Sequence, residues 1–487
     1  MKKYIIVIAL LVATTFSGCN DFLDVNTDPN NPTSVGLDLI LPAGQNYTAR
    51  WIQTDRSVSH LGNMIMYNWS ESAGFSWYND EFLYLADAST FYDQIFDNAY
   101  LRALKQYAAL ENTIGDENAA YVAIGKIMKS YTFQILVDFY GDIPYFEALG
   151  RSNNSSPKYD KAEDIYDDLI VQLTGAIELL NTAEVNPVAV LPDEDDAMFG
   201  GDLTKWKQFA NTIKLRILAR ESDVKDAAYI TAELAAIATE GSGYITYDVT
   251  INPGYSDSED KQNPLWEDFG KTPSGSQTNS GDATCASDFV IAYLQATGDP
   301  RIDYLFEEPP TGHLGVPQGI TASNELYAPS LVSNMGTGIL YSADQNAVIF
   351  TLAERYFNEA ELALKTFGGD PKALYEQGVR ASFDLLGAAD ATGYLTQGLQ
   401  NVNYDASTSK LEAIITQKWI ATMGITAEQG WFDHSRTGYP SNLPVSQEEP
   451  NLVRPVRLTY PSSESAGNAA NVPEQPGVFT VKIFWGN

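Results

Sequence analysis

The fold is decided by residues 118–148, which read NAAYVAIGKIMKSYTFQILVDFYGDIPYFEA. Apolar residues recur there in steps of three and four, which predicts one helix over 118–140, about 35 Å long at roughly 1.5 Å per residue. Gly141 is placed to end this helix, and Pro144 cannot re-enter it. Three small residues on the adjoining side are expected to let another helix approach: Ala119, Ala123 and Gly125. Because this helix is apolar on nearly all sides, we expect it to be the spine of a helical domain.

The same periodicity predicts helices on both sides of the spine. Before residue 241 the predicted segments lie near 37–67, 82–111, 160–181, 203–222 and 225–239. After residue 344, an apolar stripe over 349–364 is followed by a second helix that begins with Asp370 as N-cap and Pro371 at its first position and ends at Gly387. Such antiparallel pairs are the unit of tetratricopeptide-like stacking, although no strict 34-residue period is present.

Composition changes at Gly241. Between residues 241 and 344, Gly and Pro account for 20 of 104 residues, against 59 of 487 in the whole chain. Long insertions of this kind are usually functional, so we predict a loop-rich insertion with one helix at 284–297. The acidic run Asp193-Glu194-Asp195-Asp196 is predicted to be a solvated loop.

The N-terminus is typical of a processing signal. Lys2 and Lys3 precede the apolar stretch 4–16, and Phe16-Ser17-Gly18-Cys19 matches a bacterial lipobox, with Phe16 where Leu is usual. We predict that Cys19 is lipidated and becomes the first residue; an ordinary secretory signal cut nearby is the alternative. The predicted organisation is a signal peptide (1–18), a polar tether (19–36) and a single, mainly all-α domain (37–487). Within that domain we expect a helical scaffold (37–240 and 345–440), the insertion (241–344) and an irregular C-terminal segment (441–487).

Charge excludes two classes of partner. The formal net charge is −33, and removal of residues 1–18 with their two lysines makes it −35. Such a field repels the phosphate backbone of nucleic acids and the anionic surface of a membrane. Membrane attachment is therefore expected only through acyl chains on Cys19, because no other run reaches the ~18 apolar residues of a spanning helix.

No convincing catalytic constellation is present. His60, His313 and His434 are far apart, without an HExxH motif or paired cysteines, so we predict no metal or cofactor. Asp433, His434 and Ser435 have the residue types of a triad, but adjacent side chains splay apart; a structural histidine is expected. Cys285 is expected to be a buried small residue. Sequence spacing cannot show whether two carboxylates stand at the ~5 or ~6.5–9.5 Å separation that a glycosidase needs.

Aromatic residues are concentrated in residues 64–84, where seven occur in twenty-one positions. Aromatic faces on a polar loop can stack on sugar rings. We therefore predict ligand contacts from Trp69, Trp77 and Tyr78, with hydrogen bonds from Asn68 and Asn79. Three of the remaining four are expected to be core residues: Tyr67, Phe82 and Tyr84. A second wall of the site is predicted from aromatics of the insertion: Tyr255, Trp266, Tyr304, Tyr327 and Tyr341.

Several strings, in order, resemble those of the SusD/RagB-like outer-membrane lipoproteins. They are Gly141-Asp142-Ile143-Pro144-Tyr145-Phe146-Glu147-Ala148, Gly298-Asp299-Pro300-Arg301, IFTLAERYFNEAELAL at 349–364, Lys418-Trp419-Ile420, Gly430-Trp431-Phe432-Asp433, Arg436-Thr437-Gly438-Tyr439-Pro440 and Tyr460-Pro461-Ser462-Ser463-Glu464. The resemblance implies a tetratricopeptide-like α-fold and a non-enzymatic, surface-exposed lipoprotein of the outer membrane. Such proteins pass oligosaccharides to a SusC-type TonB-dependent barrel.

Three alternatives remain open at this point. Some members of that family bind peptides, and the negative field would favour cationic ones. A glycoside hydrolase and a purely structural scaffold are the alternatives from other classes.

Overall fold

The computed structural model describes residues 35–150, 154–319, 324–448 and 453–486. The predicted signal peptide, Cys19 and most of the predicted tether therefore lie outside the described residues. None of the helices in these four ranges combines the length and the apolar character that a membrane crossing requires.

Helices form most of the chain before residue 241. They lie at Leu37–Gln53 (α1), Val58–Ile65 (α2), Asn79–Phe82 (α3), Asp93–Asn98 (α4), Lys105–Glu111 (α5), Ala119–Tyr140 (α6), Ala162–Val185 (α7), Leu203–Glu221 (α8) and Ala227–Glu240 (α9). A π-helical segment, Ala99–Leu104, joins α4 to α5, and 3₁₀ turns occupy Asp116–Asn118 and Asp193–Asp195.

The insertion holds only short helices, and longer ones return after it. The helices of the insertion are Pro264–Phe269 (α10), Asn279–Ala283 (α11), Asp288–Ala296 (α12) and Ile302–Leu305 (α13), with a 3₁₀ turn at Glu325–Tyr327. The helices beyond it are Leu352–Leu364 (α14), Pro371–Leu386 (α15), Thr392–Leu395 (α16), Lys410–Thr422 (α17), Glu428–Thr437 (α18) and Ser462–Gly467 (α19). The prediction of a mainly α-helical, tetratricopeptide-like fold is confirmed; the domain boundaries stay predictions.

Three two-stranded antiparallel sheets tie distant parts of the chain together. Their strands are Trp69–Glu71 (β1), Ile143–Pro144 (β2), Tyr159–Asp160 (β3), Val249–Ile251 (β4), Thr284–Ala286 (β5) and Ala347–Phe350 (β6). The pairs are β1 with β5, β2 with β3, and β4 with β6. The first and third pairs attach the insertion to the helical scaffold.

The spine prediction is confirmed by α6. The helix ends at Gly141, whose φ of 74° is left-handed, and it packs against α5, α7 and α8. Ile127 and Ile135 are fully buried. Gly125 faces α5 so closely that an added Cβ would stand 2.8 Å from the carbonyl oxygen of Tyr107 and 3.1 Å from the amide nitrogen of Glu111. The predicted close approach therefore requires glycine at this position.

A pair of glycine substitutions separates packing from helix propensity. Gly125→Ala is expected to reduce the free energy of unfolding by about 1–3 kcal/mol, because the backbone of α5 must move to admit a methyl group. Gly175→Ala on α7 is the matched control: nothing lies within 4 Å of its added Cβ, so the ordinary gain of about 0.5–1 kcal/mol from alanine in a helix should appear. Urea unfolding followed by circular dichroism measures both. Stabilisation of both variants to a similar degree would contradict the close contact between α5 and α6.

Three of the predicted helices are wrong in extent. Residues 82–111 do not form one helix, because Tyr84 and Tyr92 adopt positive φ values of 48° and 53° that interrupt it. The segment 37–67 is likewise broken at residue 54, ahead of Arg56 with φ 53°. The helix predicted at 284–297 begins only at Asp288, because residues 284–286 pair with β1 as a strand.

Helix-terminus signals after the insertion are confirmed. The Asp370 carboxylate accepts hydrogen bonds from the amides of Lys372 and Ala373 at 3.0 and 3.2 Å, Pro371 opens α15, and Gly387 ends it with φ 75°. The six-residue connection makes α14 and α15 antiparallel neighbours, and α14 also packs on α8 and α17. Local capping chemistry thus determines this helix pair.

Buried ion pairs join the two halves of the helical scaffold. Arg216 and Arg220 of α8 lie 3.6 Å from Glu354 of α14 and 3.4 Å from Asp433 of α18, respectively. Arg436 donates to both oxygens of Glu361 at 2.6 and 2.7 Å. Several strings that carried the family resemblance therefore hold structural rather than ligand-binding charges.

The acidic run at 193–196 is not uniformly solvated, which corrects the prediction. Asp195 and Asp196 are buried. Asp196 accepts hydrogen bonds from the Gln45 amide at 2.7 Å and from the Trp206 indole at 2.8 Å, while Asp195 accepts one from the Tyr121 hydroxyl. These carboxylates connect α1, α6 and α8, since buried acceptors need donors from the surrounding elements.

Candidate functional site

Three residues predicted to contact a ligand are core residues. Trp69 is 1% exposed on β1, opposite Ala286, and Tyr78 is fully buried with its hydroxyl 2.8 Å from that of Thr284. Asn68 is also buried, and its side-chain oxygen accepts a hydrogen bond from the Trp419 indole at 2.7 Å. The sheet formed with β5 covers this part of the segment, so the structure corrects these three predictions. Three aromatics of this segment were predicted to be core residues, and their burial is confirmed: Tyr67, Phe82 and Tyr84.

Trp77 and Asn79 are exposed, as a ligand contact requires. Trp77 is 38% exposed, and its ring packs edge-on against Phe75 at a centroid distance of 5.2 Å. Its amide donates to the Glu71 carboxylate, and its carbonyl accepts a hydrogen bond from Arg56 at 2.7 Å. Burial raises the pKa of Glu71, and the amides that bind it partly offset this effect. The Trp77 backbone is thus fixed at both ends while part of its ring faces solvent.

The loop that carries Trp77 is attached to the insertion. The Ser72 hydroxyl donates to the carbonyl of Asp282 at 2.6 Å, and the Ala73 amide donates to the carbonyl of Tyr327 at 2.7 Å. Tyr327 is half-buried. The two regions predicted from sequence to form opposite walls are therefore hydrogen-bonded neighbours.

A cleft of about 480 Å³ opens between α10 and residues 329–341. Trp266 and Tyr341 both line it; Tyr341 is 56% exposed, and the Trp266 indole donates to the carbonyl of Lys271 at 3.0 Å. The cleft also has a polar lining, formed by Lys271, Gln277, Asp282, Glu307, Ser330, Asn334 and Thr337. We call it the Trp266–Tyr341 cleft. Asp282 connects it to the Trp77 loop through the hydrogen bond from Ser72.

Two predicted aromatics lie elsewhere. Tyr304 is half-buried against the core, where its carbonyl accepts a hydrogen bond from the amide of Gly338 at 2.8 Å. The hydroxyl of Tyr255 donates to Asn46 on α1 at 3.1 Å. Neither residue lines the Trp266–Tyr341 cleft, and Tyr327 does not line it either. Of the five predicted aromatics, the cleft therefore brings together only Trp266 and Tyr341.

The polar residues of the cleft were not identified from the sequence. Lys271, Gln277 and Asn334 belong to no motif, and their only signal is a position in the Gly- and Pro-rich insertion. Together with the two aromatic rings they offer flat apolar faces beside hydrogen-bond donors and acceptors. This combination suits a ligand with apolar faces and hydroxyl edges.

The residues considered for catalysis are mostly buried. Burial raises the pKa of the Cys285 thiol, so the prediction of a buried small residue is confirmed. Burial lowers the pKa of His60 to about 4, and burial together with Arg454 lowers the pKa of His434 to about 3. His313 differs: it lies with Asp303 and Glu308, with one ligand atom of each within 4.8 Å of the others. The spacing of the three histidines along the sequence does not indicate that His313 lies beside these two carboxylates.

A family model, SusD-like and described as "Starch-binding associating with outer membrane", matches residues 29–461. Among curated proteins, none matches the chain at a significant level.

Solved structures match over nearly their full lengths. A chitin-binding SusD homologue from Flavobacterium johnsoniae is 23% identical, with a TM-score of 0.75, over 91% of this chain and 98% of that one. A chitin-binding protein is 25% identical, with a TM-score of 0.73, over 91% and 99% of the two chains. A SusD homologue from Bacteroides uniformis is also 25% identical, with a TM-score of 0.72, over 92% and 99%.

Proposed function

This chain belongs to the SusD-like family, which is associated with the outer membrane, and from that premise we propose that it captures oligosaccharides at the cell surface. The family description names binding to a polysaccharide and no reaction, which supports a binding protein rather than an enzyme. The observation that carries the proposal is the Trp266–Tyr341 cleft, which is lined by three aromatic residues, Trp266, Phe269 and Tyr341, and by seven polar ones.

The cleft suits a saccharide for a physical reason. The axial C–H groups of a sugar ring form apolar patches that can cover the faces of Trp266 and Tyr341. Its hydroxyl groups can donate to Asp282 and Glu307 and accept from Lys271, which line the same cleft. A volume of about 480 Å³ falls within the usual range of ligand sites, roughly 300–1,000 Å³.

Trp77 extends this site in the proposal. The Trp77 loop is hydrogen-bonded to Asp282 and Tyr327, so an oligosaccharide longer than the cleft would reach the exposed Trp77 ring, Asn79 and the edge of Tyr327. A backbone fixed by Glu71 and Arg56 reduces the conformational entropy that the loop loses on binding.

A glycan array identifies the ligand class. Two of the similar structures are chitin-binding, so β-1,4-linked N-acetylglucosamine oligomers belong among the first probes, beside starch fragments and neutral plant glycans. A set of cationic and neutral peptides provides the contrast, and calorimetry then gives the affinity of the strongest hit. Binding to peptides with no glycan bound would overturn the proposal in favour of oligopeptide capture.

We further propose attachment through lipid on Cys19 and delivery of the ligand to a SusC-type TonB-dependent barrel. The lipobox at residues 16–19 and the outer-membrane association of the family support this anchoring.

Cys19→Ala is expected to release the protein from washed outer-membrane fractions, because acyl chains supply about 0.8 kcal/mol per buried CH₂ and the variant carries none. Fractionation followed by immunoblotting, in cells that lack the barrel, measures the effect. Cys285→Ala provides the matched control and should stay with the membrane. Retention of Cys19→Ala there would contradict the lipid anchor.

A further inference from the structure

A second cavity, of about 460 Å³, lies beside the C-terminal half of α1. Residues from four elements line it: Tyr47, Arg50 and Thr54 at the end of α1, Asn98 at the end of α4, Arg102 on the π-helical segment, and Asp268 on α10, together with Trp51 and Ser57. We call it the Arg102 cavity. Trp266 and Phe269 of α10 line the Trp266–Tyr341 cleft, so this helix separates the two cavities.

Arg102 is an exposed arginine at the wall of this cavity. Its Nε donates to the side-chain oxygen of Asn98 at 3.0 Å, and its guanidinium carbon lies 5.7 Å from the centroid of the Tyr47 ring. Across residues 35–486, apart from the gaps given above, no carboxylate lies within ion-pair distance of Arg102. The neighbouring Arg50, in contrast, binds Glu267 at 2.9 Å.

Without a carboxylate partner among the described residues, the Arg102 guanidinium is available to an anionic ligand. The Arg102 side chain lines the cavity, where Asn98 accepts a hydrogen bond from its Nε and the Tyr47 ring lies beside its guanidinium. A guanidinium offers a planar fork of donors that matches the geometry of a carboxylate or sulfate group.

The helix that carries Arg102 supplies a second, independent observation. Residues 99–104 are π-helical within an otherwise α-helical run from Asp93 to Glu111. π-helical turns are rare and occur frequently at functional sites, since they widen the helix and redirect its side chains. Here the irregular turn lies at the wall of the Arg102 cavity.

The remaining lining offers contacts for hydroxyl groups. Asp268 accepts a hydrogen bond from the amide of Asp55 at 2.7 Å, and burial raises the pKa of its carboxyl to about 6. Thr54 and Asn98 also line the cavity. The half-buried Tyr47 ring adds an aromatic surface beside the cation, so the cavity combines recognition of an anion, of hydroxyls and of an apolar face.

We propose that the Arg102 cavity is a second saccharide site, which binds an acidic sugar through its carboxylate or sulfate group. Arg102 pairs with the anionic group, the Tyr47 ring contacts the adjacent sugar ring, and Thr54, Asn98 and Asp268 bind hydroxyls. This inference rests on the proposed function in taking the ligand to be a saccharide, and it adds a separate site and a preference for charge.

Calorimetry with matched probes tests the proposal. Trigalacturonate should bind at least tenfold more tightly than its methyl ester, which has the same skeleton without the charges. Arg102→Gln should reduce the affinity for trigalacturonate at least tenfold. Arg380→Gln alters an exposed arginine of α15 that pairs with Asp390, and it should leave the affinity unchanged. A sulfated galactose trisaccharide distinguishes the anionic group: Arg102-dependent binding of this probe alone assigns the cavity to sulfated sugars and supports the proposal.

Two further measurements keep the outcomes separate. The affinity of the wild-type protein for the acidic probe should fall as salt is raised from 50 to 500 mM, since the interaction is between charges. The double variant Trp266→Ala/Tyr341→Ala should retain trigalacturonate binding. A result against saccharide binding in the Trp266–Tyr341 cleft can therefore be distinguished from a result against binding in the Arg102 cavity. Three outcomes would overturn the proposal: measurable binding of the acid and its ester with equal affinity, unchanged binding of an acidic probe in Arg102→Gln, or no binding of either acidic probe.

Discussion

Arg436→Met is expected to reduce the free energy of unfolding by about 3–5 kcal/mol. The wild-type guanidinium is almost fully buried and donates to both Glu361 oxygens, with Asp433 and Asp223 each 3.3 Å away. Methionine fills much of the volume of the arginine side chain, but it removes the positive charge that balances the buried Glu361 carboxylate. Removing one partner of a buried ion pair is therefore far more destabilising than losing an exposed pair.

The same variant should change the acid sensitivity of the protein. Burial alone would raise the pKa of Glu361, but Arg436 and Lys365 outweigh it and lower this pKa to about 2. A carboxyl group with a pKa below its unfolded value of about 4.3 adds stability above pH 4.3, and this contribution is lost as pH falls towards 2. Without Arg436 that contribution is smaller. The difference in the free energy of unfolding between wild type and variant should therefore become smaller as the pH falls from 5 to 2.

Urea unfolding at pH 7, 5 and 3, followed by circular dichroism, measures both effects. Arg380→Met is the matched control, because Arg380 binds Asp390 at 3.0 Å on the surface. This substitution should reduce the free energy of unfolding by no more than about 1 kcal/mol. If the free energy of unfolding falls by the same small amount in both variants, the buried ion pair contributes no more to stability than the exposed one.

The largest effect on binding is expected from Trp266→Ala/Tyr341→Ala. The double variant should lower affinity for the oligosaccharide found on the array by about 100-fold or more, since an aromatic contact at the centre of a site can contribute about 2 kcal/mol. Stability should change little at Tyr341, which is 56% exposed, and more at the half-buried Trp266. We therefore expect the affinity to fall by more than the unfolded fraction of the variant can explain.

Calorimetry and thermal melts of the same preparations provide the measurement. Phe146→Ala is the control, because Phe146 is an exposed aromatic, 58% accessible, outside the cleft. Trp77→Ala, measured with short and long oligomers, shows whether the ligand reaches the Trp77 loop: only the longer oligomer should lose affinity. Full binding by the double variant would exclude the Trp266–Tyr341 cleft as the saccharide site.

The sequence by itself determined the features that depend on neighbouring residues. Period and capping predicted the α6 spine, its end at Gly141, and α15 between Asp370 and Gly387. These signals are local because a helix closes its hydrogen bonds within four residues and its cap within three. The glycine at 125 was also identified correctly, since small residues in an apolar helix indicate close packing.

Only the tertiary structure decided which aromatic residues reach solvent. Trp69 and Trp77 are eight positions apart and equally suited to a sugar, yet one is 1% exposed and the other 38%. The difference arises because β1 pairs with β5, more than 200 residues along the chain, and covers Trp69 and Tyr78. The burial of Asp196 against Gln45 and Trp206 has the same origin. Burial depends on contacts between segments that are distant along the chain. The periodicity that predicts a helix depends only on the residues of that segment.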